Sequence, residues 1–495
     1  MGIILAMNAT ISIDTQREGT PIDRMIFGQF LEHFHRQIYG GVFDPGHPLA
    51  DARGLRTDVI AALRELRVPI VRWPGGCFAS AYHWKDGVGG RTAVYDKAWN
   101  VEEPNTFGTD EFVAFCRAIG AEPYICTNAG TGTEEEASDW VEYCNQTKGQ
   151  WAAKRRANGH ERPHDVKYWS VGNENYGPYE IMTKKAADWP AFVLESGKMM
   201  LRADPGIKLL AAALPDLDWT LPLLRQAGWM LAYISIHNYW DGLWFNNAPS
   251  DYLTCMTRTG QPGEMIRTAE NLIQLTGLAG KVAIAFDEWN LRGWHHPCKG
   301  NHIFGDVEAR DANDINATYT MADAVFSGCF LNACIRHAGT VKMACMAPMV
   351  NCRGPLFVHP GGVVRRTTFH VMKMYSDLLA GQAIDCWSAS DPLTHAGVTV
   401  PSLDAVATSD AARKQVTLAL VNKHPSEPLE VRLRLDGREG ASAGAGVCLA
   451  GDSPDAYNDV ATPDRAQPAP AEGVFRQGLA TLPPHSITIC TVDVK

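Results

Sequence analysis

The chain has 495 residues, of which 45% are hydrophobic and 20% are charged, and 55 acidic residues outnumber 45 basic ones. This composition is typical of a globular protein and excludes a disordered chain. The net charge of −10 gives no attraction to phosphates or anionic lipids, so we expect neither nucleic acid nor a membrane as a partner. A small neutral or cationic substrate, or an uncharged polymer, fits this charge.

From residue 21 to residue 380, short apolar, β-branched segments alternate with longer helical patterns. Eight strand–helix units predict a closed (β/α)8 barrel, a TIM barrel, rather than an open doubly wound sheet. The Gly-x-Gly-x-x-Gly sequence of a dinucleotide-binding sheet is absent. The predicted strands are 26–34, 68–74, 122–128, 166–174, 207–213, 233–239, 282–288 and 341–350.

The helix-like stretches between these strands carry start signals. Thr57 and Thr109 are predicted N-caps, because an acidic residue follows each in the first turn. The predicted helices are 57–67, 109–119, 135–146, 189–202, 264–275 and 314–336.

The pattern changes after residue 380. The segments 416–420, 429–435 and 487–494 alternate apolar and polar residues, which predicts an all-β domain, a β-sandwich, over residues 381–495. The N-terminal segment 1–20 alternates in the same way and is a candidate to join that sandwich.

Other features of the chain bear on its location. No apolar run approaches the ~18 residues of a membrane span. Residues 1–7 have neither a basic leader nor a small-residue cleavage site, so we expect no signal peptide. The 13 cysteines are an odd number without Cys-x-x-Cys spacing, which is typical of free thiols in a reducing cytosol. We therefore expect a cytoplasmic protein.

Two predicted strands end in a glutamate, where barrel enzymes carry their reactive side chains. Glu174 ends the fourth strand in the sequence Gly-Asn-Glu-Asn, and Glu288 ends the seventh in Asp-Glu-Trp-Asn. Three steps around an eight-stranded ring put two side chains on opposite sides of one site. A pair of carboxylates, one protonated and one ionised, suits glycoside hydrolysis. A single glutamate at a barrel rim is more often a salt bridge or a helix cap, but the pair, with Asn173 before Glu174, favours catalysis.

These two motifs resemble the acid/base and nucleophile motifs of the retaining clan A glycosidases. The wider chain resembles glycoside hydrolase family 51, the α-L-arabinofuranosidases. The supporting segments run across nearly all of the barrel in the expected order, at 27–33, 72–78, 107–112, 236–239 and 354–357.

The resemblance implies a role for each matching residue. Glu174 would be the general acid/base, and Glu288 would be the nucleophile. Arg72 would support the charge of the nucleophile, which agrees with the rule that a nearby cation keeps a carboxylate ionised. The remaining residues are expected to contact or line the sugar subsite: Glu32, Cys77, Trp99, Asn173, His237 and Tyr239.

The implied activity is that of a retaining, exo-acting α-L-arabinofuranosidase. It would release terminal L-arabinofuranose from arabinan, arabinoxylan or derived oligosaccharides by double displacement, without a cofactor and as a homo-oligomer, a hexamer by family resemblance. A β-xylosidase or an endo-glucanase with the same catalytic pair is the alternative. The segments 177–183 and 291–298 depart from the common family form, which leaves linkage and chain-length preference open.

Further alternatives concern single residues and the protein as a whole. His295, His296 and Cys298 are zinc-type ligands, but without a helical His-x-x-x-His spacing we interpret them as part of a polar loop and expect no metal. Cys77 has no paired base, which favours a lining thiol over a nucleophile. Three other interpretations stay open: a structural ion pair for Arg72, a core position for Trp99, and a catalytically silent sugar-binding protein.

Overall fold

The computed structural model describes residues 7–243, 248–293, 314–379, 381–412, 414–438 and 443–494. Eight parallel strands form a closed barrel, in which each strand pairs with the next along the chain and the last pairs with the first. The predicted (β/α)8 barrel with a C-terminal all-β region is confirmed. The barrel strands, here β1 to β8, are Gly28–Phe30, Ile70–Trp73, Glu122–Thr127, Tyr168–Val171, Lys208–Ala212, Leu231–Asp241, Ala283–Arg292 and Val341–Met346.

Helices cover the outside of the barrel. The helices, here α1 to α10, are Thr57–Leu66, Thr109–Ile119, Glu134–Asn145, Gln150–Ala157, Trp189–Ala203, Leu217–Ala227, Tyr252–Thr257, Gln261–Leu275, Met321–Arg336 and Thr367–Leu378. Short 3-10 helices lie at Arg24–Phe27, Cys77–Ser80, Trp84–Gly87 and Asn316–Thr318. Within the described ranges, no helix is long and apolar enough to cross a membrane.

Two predicted helix caps and one predicted helix start are wrong. Thr57 and Thr109 are the first helical residues rather than the caps, which are Arg56 and Gly108. The last predicted helix, 314–336, begins at Met321, because Thr320 and an acidic side chain three residues later form a capping box there. Side chains all round this helix are buried, so its start could not be seen as an amphipathic pattern.

The strands β6 and β7 run beyond the barrel rim as a pair. Their register continues to Asp241 opposite Arg292, and the two side chains form a buried ion pair at 2.6 Å. The predicted end of the seventh strand at Glu288 is therefore wrong. Glu288 lies inside β7, and its backbone is paired with β6 on one side.

A ten-stranded sheet forms the C-terminal region. Leu418, Val431 and Leu482 from different strands share one apolar core with Ile11 near the N-terminus. The strand Met7–Asp14 pairs antiparallel with Gln382–Ser390 and parallel with Leu429–Leu435. The remaining strands of this sheet are Thr20–Pro21, Leu403–Ser409, Gln415–Asn422, Ala443–Ala450, Pro468–Pro470, Leu479–Leu482 and Ser486–Asp493. Two-stranded ribbons lie at Val94–Asp96 with Val101–Glu103, Leu356–His359 with Gly362–Arg365, and Pro392–His395 with Val398–Pro401.

Candidate active site

Glu174 follows β4 through a left-handed turn. The strand ends at Val171, Gly172 takes a φ of 71° and Glu174 takes a φ of 41°. A Cβ at position 172 would lie 1.9 Å from the side-chain oxygen of Asn175, so this position requires glycine. The fourth strand thus ends three residues before the predicted position. Left-handed backbone at a non-glycine residue is strained, and such strain clusters at functional sites.

Glu288 accepts hydrogen bonds on both oxygens. Arg72 of β2 donates to Oε2 at 2.8 Å, and the hydroxyl of Tyr239 on β6 donates to Oε1 at 2.6 Å. Arg353 in turn donates to that hydroxyl at 2.9 Å, and its guanidinium lies 4.5 Å from the tyrosine ring centroid. These contacts fix the direction of the Glu288 carboxylate and give it a permanently charged neighbour.

The Glu174 carboxylate contacts an imidazole and a phenol. The Nδ1 atom of His237 is 2.9 Å from Oε1, and the hydroxyl of Tyr179 donates to Oε2 at 2.9 Å. Burial raises the pKa of Glu174, but the hydrogen bond and charge of His237, together with Tyr179, outweigh it and lower the pKa overall. The carboxylate remains reachable, because 13% of its side chain is exposed.

His237 lies between the two carboxylates. Its Nδ1 atom is 2.9 Å from Glu174 and 3.5 Å from Glu288, while Nε2 is 3.3 Å from Asp287. Burial lowers the pKa of His237, but Glu288, Asp287 and Glu174 outweigh it and raise the pKa to about 10. One ligand atom of each carboxylate and of the ring lie within 4.8 Å of one another. The structure therefore brings Glu174, Glu288, His237, Tyr239 and Arg72 together.

Asp287 is a fully buried carboxylate beneath this group. Its oxygens accept hydrogen bonds from Tyr124 at 2.5 Å and from Ser235 at 2.7 Å, and Arg72 lies 3.4 Å away. Burial raises the pKa of Asp287, yet His237 and then Arg72 outweigh burial and lower the pKa overall. Sequence reasoning quoted this aspartate only as part of the nucleophile motif. An acidic residue inside an otherwise apolar strand was the signal for a buried charge network.

A chain of hydrogen bonds links Arg72 to a third buried glutamate. Arg72 donates to Oδ1 of Asn173 at 2.6 Å, and Nδ2 of Asn173 donates to Glu180 at 2.9 Å. Ser80 donates to the other oxygen of Glu180 at 2.6 Å. The two bonds of Asn173 fix the orientation of its amide. Glu180 lies in the segment 177–183, which was noted only for its departure from the common family form.

Comparison with known proteins agrees with this geometry. Residues 62–258 match the family model of the α-L-arabinofuranosidase 1 domain, and residues 287–486 match that of the α-L-arabinofuranosidase C-terminal domain. The chain is 35% identical to α-L-arabinofuranosidase C of Emericella nidulans over 462 residues, 87% of each chain. It is 33% identical to an intracellular exo-α-(1→5)-L-arabinofuranosidase of Halalkalibacterium halodurans over 454 residues, 88% of this chain and 89% of that protein.

The solved structure of the GH51 arabinofuranosidase from Xanthomonas axonopodis pv. citri superposes with a TM-score of 0.88 at 28% identity, covering 98% of this chain and all of that one. The chain belongs to glycoside hydrolase family 51. It is a glycoside hydrolase, an α-L-arabinofuranosidase.

In this arabinofuranosidase, Glu32 and Cys77 lie near Glu288 and Glu174, respectively. Oε1 of Glu32 accepts the backbone amide of Phe78 at 3.2 Å, and burial followed by repulsion from Glu288 raises the pKa of Glu32. A Cβ at position 75 would lie 2.4 Å from Cγ of Glu32, so the glycine at 75 makes room for that side chain. Burial, then Glu180, raises the pKa of the Cys77 thiol. Cys77 is therefore a protonated thiol, which agrees with a lining role.

Trp99 is predicted to line the sugar subsite, and the structure places its ring against Phe34, with 4.2 Å between ring centroids. Only 6% of Trp99 is exposed, and it belongs to the main apolar core of the barrel. Its expected role as a subsite wall therefore stays a prediction. His295, His296 and Cys298 lie outside the residues that the structure describes.

The three groups Glu174, His237 and Glu288 have the spacing of a metal site. A ligating imidazole must offer a lone pair, and the raised pKa of His237 keeps its ring protonated at neutral pH. The contacts of this arabinofuranosidase site therefore favour proton transfer over metal binding at these three residues.

Proposed function

We propose that this α-L-arabinofuranosidase is exo-acting and retaining, with Glu288 as the nucleophile and Glu174 as the general acid/base. The observation that carries this proposal is the single imidazole in contact with both carboxylates. Retaining glycosidases hold their carboxyl groups about 5–5.5 Å apart, whereas inverting ones need about 6.5–9.5 Å to fit a water molecule. Carboxylate atoms within 4.8 Å of each other support the retaining arrangement.

In the first step, an oxygen of Glu288 bonds to the anomeric carbon while the glycosidic C–O bond breaks. Glu174 gives its proton to the departing oxygen, which leaves as an alcohol, and a covalent arabinosyl-enzyme remains. Arg72 and Tyr239 orient the attacking carboxylate through the bonds at 2.8 Å and 2.6 Å. Each bond is made to one carboxylate oxygen, so the group is held in one orientation before the substrate arrives.

In the second step, the ionised Glu174 takes a proton from water, the water oxygen bonds to the anomeric carbon, and the ester bond to Glu288 breaks. Arabinose leaves with its original anomeric configuration. The pKa of Glu174 must lie low enough for this base role and rise when substrate binds. Both are supported here, because His237 lowers the pKa of Glu174 while further burial by a bound sugar raises it.

The remaining predicted contacts belong to the sugar subsite. We assign Asn173 to the 2-hydroxyl, because its amide is fixed between Arg72 and Glu180. Glu32, with its raised pKa, is assigned to sugar hydroxyls as a hydrogen-bond donor or acceptor. Cys77 and Trp99 complete the set as lining residues.

We propose terminal L-arabinofuranose of arabinan, arabinoxylan or derived oligosaccharides as the substrate, and a cytoplasmic homo-oligomer as the working form. The relatives are named as arabinofuranosidases, one of them as exo-acting and intracellular, which supports this over a β-xylosidase or an endo-glucanase. The 12 described cysteines are free thiols, which agrees with a reducing compartment.

Parallel assays on aryl α-L-arabinofuranosides, aryl β-xylosides and glucan oligosaccharides test the substrate, and NMR of the first-formed anomer tests the stereochemistry. We expect turnover of the arabinofuranoside with retention. An inverted product, or a higher kcat/KM on the xyloside, contradicts the proposal.

A further inference from the structure

A second group of metal-binding side chains lies apart from the active site, in the helical layer. Asp110 is in the first turn of α2, while His160 and His164 lie between α4 and β4. The Nε2 atom of His164 is 2.8 Å from Oδ1 of Asp110, and Nε2 of His160 is 3.6 Å from Oδ2. One ligand atom from each of the three residues lies within 4.8 Å of the others. Both imidazoles thus converge on opposite oxygens of one carboxylate.

We propose that Asp110, His160 and His164 bind one divalent transition-metal ion of the Zn2+ class. Imidazole nitrogen and carboxylate oxygen are established zinc ligands, with bonds of about 2.0–2.2 Å. Tetrahedral angles with such bonds set neighbouring ligand atoms about 3.3 Å apart. The Nε2 atoms of His164 and His160 lie 2.8 Å and 3.6 Å from different oxygens of Asp110, so the ion requires side-chain rotations that bring all three ligand atoms to this spacing. Water would complete the coordination.

The hydrogen bonds around the cluster hold its ligands in place. The hydroxyl of Tyr143 donates to both oxygens of Asp110, at 3.0 Å and 2.9 Å, and Asn158 donates to that hydroxyl at 3.0 Å. The backbone amide of His164 donates to a carbonyl on α3 at 2.7 Å, and that of His160 donates to a carbonyl on α4 at 3.1 Å. Hydrogen bonds that orient metal ligands in this way commonly raise affinity by about 10–100-fold.

Charge and access also favour a cation. Asp110 supplies the one carboxylate among the three proposed ligands. The side chain of His160 is 39% exposed, which gives the ion a path from solvent. The guanidinium of the nearby Arg155 donates hydrogen bonds to the backbone carbonyl oxygens of Tyr143 and His160.

Bound metal would join the start of α2 to the connection that leads into β4. The strand β4 begins at Tyr168, four residues after His164, and carries Glu174 beyond its end. None of the three ligands contacts Glu174 or Glu288 among the contacts of the described residues. The expected effect is therefore on thermal stability and not on turnover.

The test uses untagged full-length protein, because an affinity tag of histidines would itself bind the ion. Zn2+ binding is measured by equilibrium dialysis, and Co2+ is used as a spectroscopic probe whose visible absorption reports coordination. We expect one ion per chain and a rise in Tm on adding Zn2+. His160→Ala and His164→Ala should each weaken binding by more than about 10-fold and remove the rise in Tm.

His160→Ala is the principal variant because its side chain is the most exposed of the three, and it should keep native turnover. His237→Asn is the matched control, because it removes the imidazole of the other cluster with metal-like spacing. Binding retained in His237→Asn and lost in His160→Ala supports the site. No binding, or binding that survives both His160→Ala and His164→Ala, overturns it. These readouts need no substrate, so their outcome is separate from the outcome of the proposed function.

Discussion

Replacing Glu180 with glutamine tests whether a buried, titrating carboxyl adjoins Glu174, the proposed general acid. Only 5% of Glu180 is exposed. Burial, and then repulsion from Glu174, raises its pKa from 4.5 to about 7, while bonds from Ser80, Cys77 and Asn173 act in the opposite direction. A carboxyl whose pKa is raised on folding binds its proton more tightly in the folded state. The stability that this proton confers is complete below pH 4.5 and is lost as the pH rises through about 7.

The size of the effect follows from the difference between those two values. At about 1.36 kcal/mol for each pH unit, the native protein loses roughly 3 kcal/mol of unfolding free energy between about pH 4.5 and about pH 7 from this group. Glu180→Gln is neutral throughout, so it escapes this loss. It also places an NH2 donor against Ser80 or Asn173, each of which donates to a Glu180 oxygen, and this costs about 1–3 kcal/mol at every pH. The informative quantity is therefore the pH dependence of the difference between the two proteins.

Urea unfolding of both proteins at constant ionic strength, from about pH 5 to about pH 8, measures that difference. We expect the stability of Glu180→Gln relative to the native protein to rise with pH and to level off above about pH 7. Glu102→Gln, at an exposed position, is the control and should run parallel to the native curve. A Glu180→Gln curve that also runs parallel refutes the idea that Glu180 takes up a proton near neutral pH.

Four further predictions concern the catalytic group. Glu288→Ala should abolish turnover of an aryl arabinofuranoside, whereas Glu174→Ala should lose about 10²–10⁴-fold in kcat, most strongly with poor leaving groups; normal activity in Glu288→Ala contradicts the assignment. Arg72→Lys cannot reach both Glu288 and Asn173, and the loss of one charge-assisted hydrogen bond of about 1.5–3 kcal/mol should lower kcat by roughly 10- to 100-fold, as steady-state kinetics would measure. The raised pKa of His237 gives stability that is complete below pH 6.5 and lost as the pH rises through about 10, so melting curves of His237→Asn should lack this pH dependence. A chelator should leave glycosidase activity unchanged while lowering the Tm of metal-loaded protein; loss of activity would contradict the expectation that the reaction needs no metal.

The barrel strands could be predicted from sequence because a buried parallel strand is a short apolar, β-branched run. Six of the eight observed strands lie inside the predicted spans, and the exceptions, β6 and β7, overrun them. Residues 289–292 alternate apolar and polar side chains, which favours a strand, but this alternation alone does not show that the segment pairs with β6 beyond the rim. Only the pairing of Tyr239 with Asn290 and of Asp241 with Arg292 reveals the strand extension.

Site residues that belong to a sequence motif could be predicted. Site residues whose role depends only on packing could not. The family resemblance implied the expected neighbours of Glu288, and Arg72 does contact the carboxylate. Glu180 gave no motif, because its importance depends on a turn that folds it back against Asn173 and Ser80. A single sequence does not encode such a return in any local periodicity.

The ring of His237 contacts two glutamates that are remote from each other along the chain. In the proposed mechanism, the imidazolium loses one of its anionic neighbours when an ester forms at Glu288, and its charge then acts more fully on Glu174. The same glutamate that has just given up its proton is thereby kept deprotonated for the attack by water. Two carboxylates without a shared neighbour would need another group to favour this change of Glu174 from acid to base. Here the imidazole of His237, which forms no covalent bond, favours it through its charge.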